Sequence, residues 1–550
     1  MTQSTDPSHE LNDSKEALPP SPTNFSESDE YKTRCGKLKE LLDLGIPTYP
    51  HTFKNSSSIH EVQDKLAVAD QATPQTLGGS EQAIEDSTPS ARVYGRIVLM
   101  RPMGKNLFAQ LQDHTGRIQL MVSRDIVSLS SYQEEEGKAR AAKIIEKKFD
   151  LGDIIGVEGN LFFTQKGELT ILVRHLTLLS KALLPLPDKH HGLNDPETRQ
   201  RKRWLELISD RSTFSRFESR SKILATIRRI LTEHQFLEVE TPILQNIYGG
   251  ANARPFVTHH NSLKTDPFLR ISLEIPLKKL LVGGYPRIFE LGKVFRNEGI
   301  DRTHNPEFTM LELYSAGWDY YDMMDIAEQL FVSCAQSLAL KLSAHTFENH
   351  TIDLSKPFQR ITMLDAVKQV TNIDAKNEPL EQLRALVSEK NDTPLAVANK
   401  MSRGECLIAL FEEHVEQTLI QPVHIIDHPI ESTPLCKRMR EELLDPKDPS
   451  KEDALVLVER FETFVVGKEF CNAYSELNDP LEQKNLLLAQ QNKSNQEENH
   501  PIDGEFIEAM SQGMPPAGGL GIGIDRLCML LTNSSSIRDV LFFPTLRPHN

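Results

Sequence analysis

At 550 residues, 39% of them hydrophobic, the chain has core-forming material for about three or four domains. Its formal net charge of -16 excludes general polyanion binding, so any nucleic acid must be met by local basic patches on an acidic body. Six cysteines (Cys35, Cys334, Cys406, Cys436, Cys471 and Cys528) lack C-x-x-C spacing, which excludes a disulfide framework and a zinc site and points to a reducing cytoplasm.

Residues 1–30, rich in Ser, Pro and acidic side chains with no apolar run, read as a disordered tail, neither signal peptide nor anchor. No later run reaches the length of a membrane span. Residues 31–90 read as a helical lead-in. Tyr31–Leu44 has apolar residues at helical spacing and stops before Gly45 and Pro47, a weaker helix covers Ile59–Val68, and a polar linker follows. From Ala91 to Ala182 the period changes to two. Five short alternating runs, with a helical insert over Tyr132–Lys148, predict an OB-fold β-barrel, a scaffold that often binds single-stranded nucleic acid. An all-β interaction module without RNA is the alternative from pattern alone. Residues 183–210 read as a hinge carrying Arg199, Arg201, Lys202 and Arg203, a cluster that is either a solvated face or a phosphate-steering patch.

Residues 211–550 form the last predicted domain. Phe214–His234 predicts an amphipathic helix with Ile223, Ile227, Ile230 and Leu231 on one side, running into a strand over 236–240. Arg287–Asn297 and Glu307–Tyr314 predict a hairpin around a polar loop. A period of two puts Glu290, Val294, Arg296 and Glu298 on one face of its first strand, and Phe308, Met310, Glu312 and Tyr314 on one face of its second. Such a face suits a substrate that combines a phosphate, a flat ring and an amine. A solvated face with scattered charges is the competing reading. Residues 316–345 and 350–415 read as helical, including Leu380–Glu389 and Arg403–Val415, and Lys437–Asp453 as a charged surface insertion. In the block ERFETFVVGKEFCNAYSELND, Asn472, Tyr474 and Glu476 share a strand face. Strict alternation puts Glu469 on the opposite face, so pairing it with Glu462 requires a bulge. A polar helix runs through Gln491, and the chain closes with the Gly-rich strand GGLGIGI and a helix starting near Asp525.

FRNEGIDRTHNPEF resembles the second signature motif of class II aminoacyl-tRNA synthetases, EVETPIL the first and GGLGIGIDRLCMLL the third. GGANARPFVTHHN and LRISLEIPLKKLLVGG look like the lysyl-tRNA synthetases of that class. The resemblance covers about residues 31–550. It implies an α+β multidomain chain in which the OB-fold barrel precedes a class II catalytic domain built on an antiparallel β-sheet with flanking helices. It further implies ATP-dependent activation of L-lysine, transfer of lysine to the 3′ end of tRNA, Mg2+ as cofactor, and a homodimer built on the first motif. Aspartyl- or asparaginyl-tRNA synthetases are the rival enzymes, and an RNA-binding paralogue without aminoacylation is the rival of another class.

The resemblance also implies residue roles. Arg296, Glu298 and Arg526 would form the catalytic set, with Arg296 between the amino-acid carboxylate and the α-phosphate. Glu298 would contact the adenine side, His304 and Asn305 the phosphates, and Phe308 and Arg526 the two faces of the adenine ring. Gly523, with Gly518, Gly519 and Gly521, would let the backbone approach ATP; tight sheet packing is the other reading of those glycines. Glu462 and Glu469 match the magnesium-holding acids. Gly250 and Glu274 would take the α-amino group of lysine and Glu312, Tyr314 and Glu476 its ε-ammonium, with Asn472 and Tyr474 in the same pocket. Acids here favour lysine over aspartate. In the barrel, Phe108 would stack an anticodon base, Gln119 and Glu168 would bond base edges, and Arg101 would join them.

Overall fold

The computed structural model describes residues 25–68, 89–132, 138–187, 193, 195–440, 454–493 and 502–548. Of the expected disordered tail, residues 1–24 lie outside that set, as does most of the charged insertion, 441–453. The chain divides into two compact units, one before Leu193 and one from Leu193 to Arg547.

The first unit is a closed barrel. The five alternating runs become β1 (Ser90–Met103), β2 (Asn106–Gln112), β3 (Arg117–Ser123), β5 (Ile154–Phe163) and β6 (Leu169–Ser180), with a two-residue β4 (Ser128–Leu129) added on β6. Parallel pairing of β3 with β6 closes the ring. Every second residue of β2 and β3, namely Leu107, Ala109 and Leu111 with Ile118, Leu120 and Val122, enters one core, which is why a period of two was legible here. The insert is helical over Lys138–Lys148. The first helix begins at Asp29, capped by Ser28, slightly earlier than expected. The lead-in packs onto the barrel, because Leu41, Ile46, Ile59 and Val62 join its core and Lys37 pairs with Asp150 at 2.5 Å.

The second unit is organised by an eight-stranded sheet. Its strands are β7 (Leu237–Glu238), β10 (Arg287–Phe295), β11 (Glu307–Ala316), β14 (Gln359–Thr362), β15 (Val423–Pro429), β16 (Leu457–Val465), β17 (Lys468–Ser475) and β18 (Ala517–Gly523). Their order is β14-β15-β16-β17-β18-β11-β10-β7, antiparallel except for the pairs at its two edges. Two small pairs lie beside it, β8 (Leu244–Gln245) with β9 (Phe268–Leu269) and β12 (His345–Phe347) with β13 (His350–Ile352). The expected hairpin forms, with Glu290 opposite Glu312 and Val294 opposite Phe308. Leu311, Leu313, Leu520, Ile522 and Ala473 face a core shared with the helices Arg211–Glu233, Tyr320–Ser337 and Ile524–Leu531. The other face, with Glu312, Tyr314 and Tyr474, is covered in part by the helices Glu274–Val282 and Gly504–Ser511.

Several expectations need correction. The strand over 236–240 shrinks to Leu237–Glu238. Residues 345–362, expected in or between helices, hold a hairpin and the edge strand β14; Glu348 and Asn349 take positive φ of 47° and 67°, the mirror-image turn that suits a right-handed strand twist. Within the hinge, Pro196–Arg201 and Arg203–Ser209 are short helices. Arg203 is no phosphate-steering residue: it is buried against Glu206 and bonds the carbonyl oxygens of Arg538 and Phe542.

One link ties the layers together. Arg220 of the helix Arg211–Glu233 meets Asp525 at 2.5 Å, and the other oxygen of Asp525 accepts the Thr309 amide at 2.7 Å.

Candidate active site

A cleft of about 740 Å³ opens on the polar face of the large sheet. It is lined by residues of β11, β17 and β18, the loop after β10, and the start of the helix Glu274–Val282. It brings together every expected catalytic, lysine-binding and metal-holding residue and, apart from Gly518, every residue expected at ATP.

At one end stand the arginines. Arg296 lies just past β10 with its guanidinium 5.2 Å from the Phe308 ring centre. Burial lowers its pKa, while the charges of Glu298, Glu469 and Glu312 work the other way, so it stays a cation. Arg526, in the first turn of the last helix, donates to the Glu469 carbonyl at 2.8 Å and sits 3.1 Å from His304 Nε2. His304 is in turn 2.7 Å from Asp301, whose carboxyl is held well below its usual range because hydrogen bonds from Thr303 and His304 outweigh burial. Asn305 lines the wall with its amide engaged: Nδ2 donates to the Glu307 carbonyl at 2.6 Å and Oδ1 accepts the Thr545 amide. In this arrangement it holds the loop.

The bulge that Glu469 required is present. Thr463 pairs with Cys471 but Phe464 pairs with Glu469, which makes Phe470 the extra residue. Phe470 and Cys471 both enter the core beneath the sheet, and Glu469 is returned to the cleft beside Glu462. Burial and the charge of Glu462 push the Glu469 carboxyl upward. Each acid leans on an arginine: Arg460 touches Glu462 at 2.5 Å, and Arg526 lies 3.7 Å from Glu469. Among the described residues no cluster of three or more His, Cys, Asp or Glu is placed to hold a metal alone. Two carboxylates do fit a hard cation that takes its remaining oxygens from phosphate and water.

At the other end is a dry acidic pocket. Glu274, Glu312 and Glu476 are 4%, 4% and 1% exposed, so three carboxylates share a site almost without water. Glu312 is well anchored, accepting from the Leu273 amide at 3.0 Å, Ser272 at 3.2 Å and Tyr314 at 3.1 Å. Tyr474 donates to Glu274 at 2.8 Å. Burial, then the charge of Glu274, pushes Glu312 up to about 7; burial raises Glu476 to about 8 despite the ammonium of Lys278 beside it. Two glycines make the pocket possible. A Cβ on Gly519 would stand 1.9 Å from Glu476 Oε1 and 2.6 Å from the Tyr314 ring, and Gly250, at φ 81°, comes close to Ser272 and Glu274. The sheet-packing reading holds for Gly518, which abuts Met323, whereas Gly523 opens toward Arg526.

Sequence reasoning missed Lys278, Arg460 and Ser272. Lys278 follows Glu274 by one helical turn and Arg460 shares a strand face with Glu462, spacings that signal a pair.

In the barrel unit the four expected RNA-contacting residues lie on one outer face. Arg101 pairs across strands with Phe108, and Phe108 with Met121, two residues from Gln119. Gln119 donates to Glu168 at 2.7 Å and accepts from Thr170. Phe108 borders a small apolar cluster of Met121, Phe162 and Leu172 outside the main core, which leaves part of its ring open.

An antiparallel sheet carrying this hairpin, paired arginines and a glycine strand, in a chain that also holds an OB-fold barrel, defines a class II aminoacyl-tRNA synthetase. The family profile of class II tRNA synthetases (D, K and N) matches residues 195–547, and that of the OB-fold nucleic acid binding domain matches residues 91–179. The chain belongs to that class, and within it to the lysine--tRNA ligase family. It is 50% identical to a lysine--tRNA ligase of Chlamydia caviae over 96% of this chain and 98% of the relative. It is 49% identical to that of Chlamydia pneumoniae, over 95% and 97%. It is 43% identical to one from Streptococcus pneumoniae, over 94% and 98%.

The pocket makes stability depend on pH. Glu312 and Glu476 hold protons more tightly when folded than the ordinary 4.5 of an unfolded glutamate, so the folded state binds more protons between about pH 4.5 and 8. Ligand-free protein should therefore lose stability as pH rises from 5, through about 7 for Glu312 and about 8 for Glu476, on the order of 1 kcal/mol per group and pH unit. Thermal melts should show a flatter pH dependence in Glu476→Gln. An identical slope in both proteins would mean that Glu476 does not titrate there.

Proposed function

We propose that this chain activates L-lysine with ATP to lysyl-adenylate and then transfers lysine to the 3′ end of its tRNA. The observation that carries the reading is the dry pocket of Glu274, Glu312 and Glu476, set a few residues along the same strands from the arginine-rich end of the cleft. An ammonium entering there meets carboxylates that water does not screen, whereas an aspartate side chain would meet like charge. That argues against the aspartate specificity of the class. The full set of Arg296, Glu298, Glu462, Glu469 and Arg526 in one cleft argues against a paralogue without catalysis.

Activation joins two anions. A carboxylate oxygen of lysine attacks the α-phosphorus of ATP, the bond to the bridging oxygen breaks, and pyrophosphate leaves. Arg296 stands where the anions meet and offers planar, bidentate donors. Phe308 and Arg526 take the two faces of the adenine, Glu298 its edge, and His304 the phosphates. Mg2+, held by Glu462 and Glu469, would supply further charge neutralisation on the phosphates. In the lysine pocket Glu274 and Gly250 take the α-amino group, Glu312, Tyr314 and Glu476 the ε-ammonium, and Asn472 and Tyr474 complete the wall.

Residues 91–182 then serve as the anticodon-binding domain, 31–90 as its helical lead-in, 183–210 as a hinge, and 211–550 as the catalytic domain. Arg101, Phe108, Gln119 and Glu168 form the anticodon face. A homodimer is supported by exposed Leu237, Ile243, Leu244 and Ile247 along the first motif, at the β7 edge of the sheet; it would run at twice 62.2 kDa in solution. No helix among the described residues is long and apolar enough to cross a membrane, and we assign the enzyme to the cytoplasm.

Amino-acid-dependent pyrophosphate exchange should proceed with lysine and not with aspartate or asparagine; exchange with aspartate would overturn the assignment. Glu476→Gln keeps the shape and removes the charge. Since breaking a buried pair costs about 3 to 5 kcal/mol, it should weaken lysine binding about a hundredfold or more and leave ATP binding unchanged. Glu469→Gln should raise the magnesium concentration needed for activation, and an unchanged titration removes that acid from the metal site. Phe108→Ala should weaken tRNA charging by about 1 to 3 kcal/mol while sparing lysine activation. Equal losses in both assays would make Phe108 structural.

A further inference from the structure

Lys278 lies behind the acidic pocket without any exposed side-chain surface. Its Nζ is 2.5 Å from Glu274 Oε1 and 2.5 Å from Glu476 Oε2, with the ring centres of Tyr474 at 5.5 Å and Phe506 at 6.0 Å. It does not line the cleft, although its neighbour Lys279 does. Lys278 therefore binds the acids from the protein side and leaves their other edges for a ligand. Glu476 Oε1 is one such edge, buried and without a hydrogen-bond donor.

We propose that Lys278 is a positioning residue that sets the charge of the lysine pocket: it neutralises one of three buried carboxylates and leaves a site matched to two ammonium groups. The count follows from the side chains. Glu274, Glu312 and Glu476 contribute three negative charges when ionised, and Lys278 returns one positive charge. The α-amino and ε-amino groups of lysine supply the remaining two, while the lysine carboxylate is met by Arg296. Other charges packed around this cluster are already matched. Glu462 holds Arg460, Arg440 holds Glu459, and Asp503 and Glu505 hold Lys279. Tyr314, Tyr474 and Cys436 face the cluster as neutral groups, since burial raises all three far above neutral pH.

Glu312 and Glu476 already hold protons near neutral pH with Lys278 in place, and without Lys278 the same acids, with one charge too many in the same dry site, would hold them more tightly still. Lysine would then have to displace those protons. Each unit by which an acid's affinity for a proton rises above the working pH lowers apparent lysine affinity about tenfold. Lys278 is held protonated far above its ordinary range by Glu274 and Glu476 despite full burial, so it acts as a fixed charge.

The inference rests on the lysine reading above, and the test separates the two. Calorimetric lysine binding in buffers of different ionisation heat gives both affinity and protons released. Wild-type protein that binds no lysine would sink the lysine reading itself. Given wild-type binding, Lys278→Gln should lose at least about tenfold in lysine affinity near neutral pH, release more protons on binding, and recover affinity as pH rises. ATP binding should not move. Lys278→Arg, which keeps the charge, should keep the wild-type pH profile. Wild-type affinity and proton release in Lys278→Gln would overturn the proposal, as would Gln and Arg variants that lose affinity equally with no change in pH profile. If Lys278→Gln does not fold, Lys278→Met combined with Glu476→Gln removes one positive and one negative charge together. A folded double variant supports the counter-ion role, and one that also fails to fold assigns Lys278 to packing and overturns it.

Discussion

The structure of the catalytic unit depends on keeping carboxylates out of water. Three acids gathered against one sheet face, each nearly devoid of solvent contact, are tolerable only if hydrogen bonds, a cation or a bound ligand compensate them. The surroundings meet that demand in different ways. Glu312 takes a backbone amide and two hydroxyls, Glu274 takes Tyr474 and Lys278, and Glu476 keeps an oxygen without a donor. The least satisfied acid is thus the one best placed to hold a ligand. Buried polar groups left incomplete by the protein are where recognition is strongest, because the alternative to binding is a desolvated charge.

The same face passes along its length from closely packed acids to acids interleaved with arginines. At the acid end the walls are tyrosines and carboxylates; at the other, Arg296 and Arg526 lie among Glu298, Glu462 and Glu469. On the reading proposed above, lysine would lie along this face with its ammonium groups in the dry end and its carboxylate toward the arginines. Positioning and charge matching then carry the chemistry, and no protein nucleophile is called for.

How far the sequence discloses all this depends on whether the signal is local. Both faces of the hairpin follow from a period of two, and so do the five barrel strands, because each strand buries alternate residues. The bulge at Phe470 is of a different kind. Alternation shows that Glu462 and Glu469 cannot share a face without one, but its location depends on which two neighbours sink into the core, and Phe470 and Cys471 are settled by the helices behind the sheet. Gly519 illustrates the same limit: its missing side chain leaves room for Glu476 on the neighbouring strand, a relation no spacing records. The hairpin at 345–352 was hidden because its turn uses Glu348 and Asn349 without glycine. Arg203 was misread because a run of basic residues looks the same whether it faces solvent or a set of carbonyl oxygens.

Asp525 holds Arg220 with one oxygen and the Thr309 amide with the other. Phe308 precedes Thr309 in the chain, and Arg526 follows Asp525. The two side chains expected to grip opposite faces of a ring are therefore jaws of a vice pinned at one carboxylate, and the pin is anchored to a helix on the far side of the sheet. On the reading proposed above, such a vice would discriminate by thickness, admitting one flat ring and refusing a puckered or doubly stacked one, whatever hydrogen bonds the rim supplies.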